Sequence, residues 1–196
     1  MKRIVLASNN LGKLREIQAL AGTAFELLPQ SDFSVSEADE AGLSFVENAI
    51  LKARHAARHT GLPALADDSG LEVDALNGAP GIHSARYAGP DASDRANLDK
   101  LLHDLEGTPE HLRQARFQCV MVYLRHALDP MPVIAHGTWE GRILSAPQGD
   151  GGFGYDPVFF VPTHRCSSAE LPAAVKNQLS HRGKALRKLL ADITTL

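Results

Sequence analysis

Residues 66–71, Ala-Asp-Asp-Ser-Gly-Leu, decide how the rest of the chain is interpreted. A short apolar run, residues 62–66, precedes them, and an alternating run, residues 71–76, follows. Two strand-like segments around an acidic stretch predict a turn that places Asp67 and Asp68 where a sheet ends. Adjacent carboxylates are costly in a core unless they are paired, but beside a cleft they can hold Mg²⁺ and orient a water. A purely structural polar hairpin is the alternative, because Asp-Ser-Gly is favourable turn sequence.

Composition limits the class of protein. The 196 residues are 44% hydrophobic and 22% charged, which is ordinary for one globular domain. The net charge of −3 provides no overall basic field that would attract nucleic acid or an anionic membrane. Cys119 and Cys166 do not have metal-ligand spacing and fit a reducing compartment. Because no apolar run has the length of a membrane span or of a signal peptide, we expect a cytoplasmic protein.

The N-terminal segment predicts a phosphate site. Residues 4–7 are typical of a buried strand and residues 11–20 of a helix, and a short polar stretch, residues 8–10, joins them. Since the first amides of a helix have no partner within it, such a junction suits phosphate. Lys13 lies in the first turn, where the helix dipole disfavours a cation, and a bound polyphosphate would explain it. A solvated lysine beside an asparagine cap is the alternative.

A second helix is predicted from about Leu43 to Gly61 by apolar residues at helical spacing. It follows an acidic segment that includes Glu40. Within the helix Asn48 and Lys52 are four residues apart and therefore share a face. A solvated polar face is the alternative explanation of this pair.

The most unusual composition is in residues 147–157, where four glycines fall within six residues. Glycine is entropically costly, so simple connection is a weak explanation for this loop. Phe153 and Tyr155 offer flat faces for a nucleotide base, and we favour a ligand-binding loop over a glycine-rich hairpin. Further on, Lys176, His181 and Arg182 bring basic side chains together in a C-terminal helical run.

The other segments complete an α/β pattern. They are a strand at 25–28, a helix at 91–105 capped by Asp91 or Ser93, long strands at 115–124 and 132–143, and a short strand at 158–161. We expect the two long strands to pair antiparallel.

Five motifs occur in order along the chain. They are residues 8–13 (Ser-Asn-Asn-Leu-Gly-Lys), 45–49 (Phe-Val-Glu-Asn-Ala), 66–71, 152–157 (Gly-Phe-Gly-Tyr-Asp-Pro) and 180–183 (Ser-His-Arg-Gly). Together they resemble the bacterial type of the inosine/xanthosine triphosphate pyrophosphatase family, over essentially the whole chain. Asn9 is a small departure, because bacterial relatives often carry a different small residue there.

The resemblance implies an α/β fold with an elongated mixed β-sheet flanked by helices and two lobes around a central nucleotide-binding groove. It implies one domain over residues 1–196 and a homodimer, without nucleic-acid or membrane partners. The implied activity is Mg²⁺-dependent hydrolysis of deaminated purine triphosphates (ITP, dITP and XTP) to the monophosphate and pyrophosphate. Such an enzyme keeps non-standard purines out of DNA and RNA.

The resemblance also assigns roles to residues. Asp68 is the general base and, with Glu40, a metal ligand. The phosphates are bound by Ser8, Asn9, Asn10, Leu11, Gly12, Lys13, Lys52 and Lys176, and the rest of the nucleotide by Ser69, Phe153, Gly154, Tyr155, Asp156, His181 and Arg182. Because Phe153 would stack on any purine, discrimination falls on the base edge, where His181 or Arg182 donating to a 6-oxo group would reject adenine.

Two other functions are consistent with these residues. A phosphatase that removes the terminal phosphate would release orthophosphate instead of pyrophosphate. A non-catalytic nucleotide-binding module would bind ITP without turnover, although paired carboxylates would repel a triphosphate unless a cation intervened.

Overall fold

A mixed β-sheet of seven strands runs through the chain in a computed structural model that describes residues 2–22 and 25–193. The strands are β1 Lys2–Leu6, β2 Phe25–Pro29, β3 Ala64–Val73, β4 Gln114–Leu124, β5 Val133–Ile143, β6 Phe159–Val161 and β7 Cys166–Ser167. Their order is β2-β1-β3-β4-β5-β6-β7. Strand β1 pairs parallel with β2 and β3, whereas β6 pairs antiparallel with β5 and β7. This topology confirms the predicted mixed α/β fold.

Five α-helices lie in the described part of the chain. They are α1 Leu11–Ala21, α2 Phe45–Thr60, α3 Asp94–Asp104, α4 Ala173–Leu179 and α5 His181–Ile193. None of them is long and apolar enough to cross a membrane.

The chain divides into two compact units. The first unit contains Met1–Asp68, Cys119–Gly137 and His181–Leu196, and the second contains Ser69–Gln118 and Thr138–Ser180. The boundaries fall within or beside β3, β4 and β5, so that these long strands contribute residues to both units.

The core of the first unit lies on both faces of its strands. Because side chains alternate along a strand, Ile4 and Leu6 of β1 pack with α1 and α5, while Val5 packs with α2 on the other face. The buried side of α2 is lined by small residues, Ala49, Ala53, Ala56 and Ala57. Small side chains at these positions allow the helix to lie close to the sheet.

The second unit has an aromatic core of its own. The ring of Phe159 lies 4.5 Å from that of Phe117 and 5.2 Å from that of Trp139, measured between centroids. Leu98 and Leu101 of α3 belong to the same buried cluster. Aromatic pairs at these distances contribute about 0.5–1.5 kcal/mol beyond simple burial.

Local capping signals mark three of the helix ends. Asn10 caps α1 by accepting a hydrogen bond from the backbone N–H of Lys13. The side chain of Ser93, one of the two predicted caps, accepts the N–H of Ala96 at the start of α3. Helix α2 ends at Thr60 and is capped by Gly61, whose φ of 68° is readily adopted only by glycine.

The predicted acidic turn is wrong. Residues 67–70 lie inside β3, which runs without interruption from Ala64 to Val73. Local preference favoured a turn, but ion pairs with lysine and arginine side chains, described below, stabilise both carboxylates in the extended conformation. The C-terminal helical run also differs from prediction, since Ser180 adopts an extended conformation and separates α4 from α5.

Candidate active site

Asp67 is the centre of a buried group of charges in the first unit. Its Oδ1 lies 3.3 Å from Nζ of Lys13, and its Oδ2 lies 3.3 Å from both Nε and Nη2 of Arg182. The Asp67 side chain has no exposed surface. Burial alone would favour the neutral acid, but the charges of Lys13, Arg182 and Lys52 outweigh it and hold the pKa of Asp67 well below its usual value. Asp67 is therefore a carboxylate anchored by cations.

Arg182 joins this group from the start of α5. Its Nη1 donates to Oε2 of Glu16 on α1 at 2.5 Å, so the guanidinium lies between two carboxylates. Only 2% of the residue is exposed. Burial opposes the charge, yet Asp67 and Glu16 raise the pKa of Arg182 above its usual value. Glu16 was not predicted from the sequence, although its position three residues after Lys13 places both on one face of α1.

Asp68 points to a second set of partners, as expected for neighbouring residues of a strand. Its Oδ1 accepts a 2.6 Å hydrogen bond from Nζ of Lys52, and the same ammonium lies 3.0 Å from Oε1 of Glu40. Burial raises the pKa of Asp68 in spite of the Lys52 charge. Burial would lower the pKa of Lys52, but Asp68, Asp67 and Glu40 together raise it. Lys13, Glu16, Glu40, Lys52, Asp67, Asp68 and Arg182 are called the carboxylate cluster below.

Asp68 and Glu40 fit a magnesium site. The two carboxylates share one ammonium ion, which shows that positive charge is stable between them. The Oδ2 atom of Asp68 is buried and has no hydrogen-bond partner among residues 2–22 and 25–193. The described residues contain no group of three His, Cys, Asp or Glu side chains arranged as a metal site. Mg²⁺ needs fewer, because it commonly uses one or two carboxylates together with substrate phosphates.

The segment that carries Glu40 is attached to the start of α2. Oδ1 of Asn48, a fully buried residue, accepts the backbone N–H of Gly42 at 2.9 Å. Oε2 of Glu47 accepts the N–H of Leu43 and the hydroxyl of Ser44. The Phe-Val-Glu-Asn-Ala motif thus binds the backbone just after Glu40. This supporting role could not be predicted from the polar face of the helix alone.

The predicted phosphate segment lies at the junction of β1 and α1. The Oγ atom of Ser8 accepts the N–H of Asn10, which itself caps the helix. The Asn9 side chain donates to Glu37 and accepts from Gln30. Gly12 lies in the first turn of α1, and the side chain of Leu11 lies outside the described part of the structure. The predicted strand, cap and helix are all present here.

A second group of predicted residues lies in the second unit. Oδ2 of Asp156 accepts the backbone N–H of Phe153 at 2.9 Å and a hydrogen bond from Nζ of Lys176 at 2.6 Å. The Lys176 ammonium lies 5.0 Å from the centroid of the Phe153 ring. Asp156 and Lys176 are 3% and 7% exposed, so their ion pair is largely removed from water. Residues 152–156 are called the aromatic loop below.

A glycine at positive φ and hydrogen bonds to other segments fix the conformation of the aromatic loop. Gly152 has a φ of 75°, and a Cβ atom at this position would overlap the Asp156 carboxylate. The N–H of Gly154 donates to Oδ2 of Asp94 at 2.8 Å, and the Tyr155 hydroxyl donates to the carbonyl of Ser84 at 2.8 Å. The Tyr155 ring is buried in the core of the second unit. Phe153, which is half-buried, therefore keeps the ring surface that could contact a base.

The structure thus brings the predicted residues together in three sets. Lys13 and Arg182 share Asp67, Asp68 and Glu40 share Lys52, and Phe153 and Lys176 share Asp156. His181 is 6% exposed and begins α5 beside Arg182, and Ser69 follows Asp68 in β3. Glu16 and Asp94 were not predicted, and Asn48 was noted only for sharing a helix face with Lys52.

Comparison with known proteins identifies the family of this chain. The model of the Ham1 family matches residues 4–192. The chain is 62% identical over 195 residues to a dITP/XTP pyrophosphatase of Vibrio parahaemolyticus, covering 99% of this chain and 98% of the relative. It is 65% identical over 189 residues to one of Thioalkalivibrio sulfidiphilus, covering 96% of each. A solved HAM1 protein from Coxiella burnetii superimposes with a TM-score of 0.92 at 51% identity, covering 100% of both chains. This chain therefore belongs to the Ham1 family.

Proposed function

We propose that this protein hydrolyses deaminated purine nucleoside triphosphates, of the type of dITP, ITP and XTP, to the monophosphate and pyrophosphate. The observation that carries the proposal is the pair of adjacent carboxylates in β3. Neighbouring cations keep Asp67 ionised, whereas burial raises the pKa of Asp68. Two chemically identical groups with opposite pKa shifts are typical of acid–base chemistry at an active site. The dITP/XTP pyrophosphatases to which this chain is similar over nearly its whole length support deaminated purine triphosphates as the substrates.

Asp68 is the general base in this proposal. Its Oδ1 is held by Lys52, whereas Oδ2 is buried and available to accept a proton from the attacking water. A raised pKa makes Asp68 a better proton acceptor than an ordinary carboxylate, because general-base catalysis improves as the pKa approaches the working pH. The water attacks the α-phosphorus, the α–β anhydride bond breaks, and pyrophosphate leaves with the bridging oxygen.

Cationic side chains neutralise the triphosphate. Nucleoside triphosphate pyrophosphatases of this kind generally use a divalent metal, and we assign Mg²⁺ to Asp68 and Glu40. When bound there, Mg²⁺ supplies charge neutralisation on the phosphates and lowers the pKa of water. Lys13 and Lys52 contact the phosphates together with the junction of residues 8–12, because phosphoryl transfer depends mainly on positioning and charge.

The purine and sugar are assigned to the remaining predicted residues. The partly exposed ring of Phe153 stacks on the base, and residues 154–156 and Ser69 contribute polar groups. His181 and Arg182 read the base edge, for which Arg182 must exchange part of its present pairing with Asp67 and Glu16. Lys176 stays a predicted phosphate ligand, and its bonds to Asp156 and to the Phe153 ring give it a second role in shaping the aromatic loop.

A nucleotide panel tests the proposal. The purified chain is incubated with ITP, dITP, XTP, GTP and ATP in Mg²⁺, and pyrophosphate and orthophosphate are measured separately. We expect pyrophosphate from the deaminated purines and much slower turnover of ATP and GTP. Release of orthophosphate would instead identify a terminal phosphatase, and tight binding of ITP without turnover would identify a binding module.

We also propose that the protein acts as a cytoplasmic homodimer, as the family resemblance implies. Light scattering on the purified chain should then give twice the monomer mass of 21.1 kDa. A mass equal to one chain at micromolar concentration would reject the dimer without affecting the proposed reaction.

A further inference from the structure

Asp94 binds the aromatic loop from a part of the sequence that carries none of the predicted motifs. It is the first residue of α3, its side chain is exposed, and its Oδ2 accepts the N–H of Gly154, sixty residues away, at 2.8 Å. The helix does not need Asp94 as its cap, because Ser93 already caps α3. Capping of α3 therefore does not explain why the Asp94 side chain binds the aromatic loop.

The aromatic loop has three side-chain anchors at three consecutive residues. Asp156 accepts the N–H of Phe153, Asp94 accepts the N–H of Gly154, and the Tyr155 hydroxyl donates to a carbonyl. The peptide groups on both sides of Phe153 are thus held by carboxylates. Because peptide groups are planar, holding both of them fixes the direction in which the Phe153 side chain leaves the backbone.

We infer that Asp94 is a positioning residue for Phe153 and, through it, for the purine base. The inference rests on the proposed function, in which Phe153 stacks on the base. Asp94 acts through the Gly154 amide and touches no reacting atom. Stacking contributes equally before and during reaction, so loss of Asp94 should raise KM and leave kcat unchanged. A single solvent-exposed hydrogen bond is worth about a three- to tenfold change in KM.

Three variants separate positioning from helix stability. Asp94→Ala removes the acceptor, whereas Asp94→Asn keeps an oxygen that can accept the Gly154 N–H. Ser93→Ala is the matched control, because it removes the cap of α3 and leaves Asp94 in place. Each variant is measured for thermal stability, for kcat and KM with ITP, and for inhibition by inorganic tripolyphosphate, which has no base to stack.

We expect Asp94→Ala to raise KM for ITP about three- to tenfold with kcat unchanged, and Asp94→Asn to restore KM. Ser93→Ala should lower the melting temperature without changing KM. Inhibition by tripolyphosphate should be the same in all variants.

Several results would overturn the inference. The inference would be wrong if Asp94→Ala left KM unchanged, if Ser93→Ala raised KM equally, or if Asp94→Asn failed to restore KM. None of these results would affect the proposed function as long as the wild type hydrolyses ITP. If the wild type binds ITP without turnover, the same comparison is made with dissociation constants from calorimetry. A wild type that neither binds nor hydrolyses ITP would overturn both.

Discussion

The carboxylate cluster and the aromatic loop are held in place by different physical means. In the carboxylate cluster, side chains from separate helices pair with two adjacent strand residues, and the contacts are between full charges with little exposed surface. In the aromatic loop, Asp156 and Asp94 each accept a backbone N–H, Asp156 also pairs with Lys176, and a glycine leaves room for the Asp156 carboxylate. Losing one buried charge of the cluster leaves its partner charge unpaired in an apolar environment, whereas losing Asp94 from the loop only frees a backbone amide for water. We therefore expect larger effects from the cluster than from the loop.

The largest effect is expected at Asp68. Replacement by Asn removes the proton acceptor and keeps the shape, so kcat for ITP should fall by about 10²–10⁴-fold. Because burial raises the pKa of Asp68, its ionised carboxylate costs stability in the folded state, and Asp68→Asn should be at least as stable as the wild type at pH 7. Steady-state kinetics and thermal unfolding measure the two quantities. Near-normal turnover in this variant would remove Asp68 from the mechanism.

Arg182 should dominate the stability of the carboxylate cluster. Arg182→Ala leaves Glu16 and Asp67 without their shared guanidinium, and breaking a buried pair in this way typically costs about 3–5 kcal/mol. Where the protein stays folded, KM for ITP should rise and selection against ATP should weaken.

Arg95→Ala is the matched control for Arg182, because it breaks the exposed pair with Asp99 on α3. Exposed pairs contribute little, so this control should unfold like the wild type. Urea unfolding of both variants provides the comparison. Equal stability of Arg182→Ala and Arg95→Ala would contradict the structural role assigned to the buried network.

The ionised carboxylate of Asp67 also makes the stability of the fold depend on pH. The pKa of Asp67 is lower in the folded state than the ordinary value of 3.8, so its charge stabilises the fold above that pH. This stabilisation is lost as the pH falls below 3.8 towards the lowered pKa. Asp67→Asn should therefore be less stable than the wild type at pH 7, and the difference should shrink on acidification. A constant difference between pH 7 and pH 2.5 would show that Asp67 is not held ionised by its neighbours.

The contrast between local and long-range contacts also explains which features of the structure could be predicted from the sequence. Helix limits were predictable because their signals are local, as at Asn10, Ser93 and Gly61. The uninterrupted strand through Asp67 was not, because the local preference of Asp-Ser-Gly for a turn is overridden by Lys13, Lys52 and Arg182, which come from distant segments. Resemblance named many of the residues in the candidate site. It did not reveal that Glu16 binds Arg182 or that Asp94 holds the aromatic loop, because only the fold brings those residues to their partners.

The smallest effect tests whether the aromatic loop depends on space as well as on hydrogen bonds. Gly152→Ala and Gly61→Ala both place a side chain at positive φ, which costs about 1–2 kcal/mol at each site. Apart from its neighbours in the chain, a methyl group at Gly61 would have no atom of the described residues within 4 Å, whereas one at Gly152 would meet the Asp156 carboxylate. The two variants should lose similar stability from backbone strain. Only Gly152→Ala should also raise KM for ITP, because the displaced carboxylate releases both Phe153 and Lys176. If both variants kept the wild-type KM, the loop would owe its shape to its hydrogen bonds alone, and the close fit of Gly152 against Asp156 would have no part in binding the base.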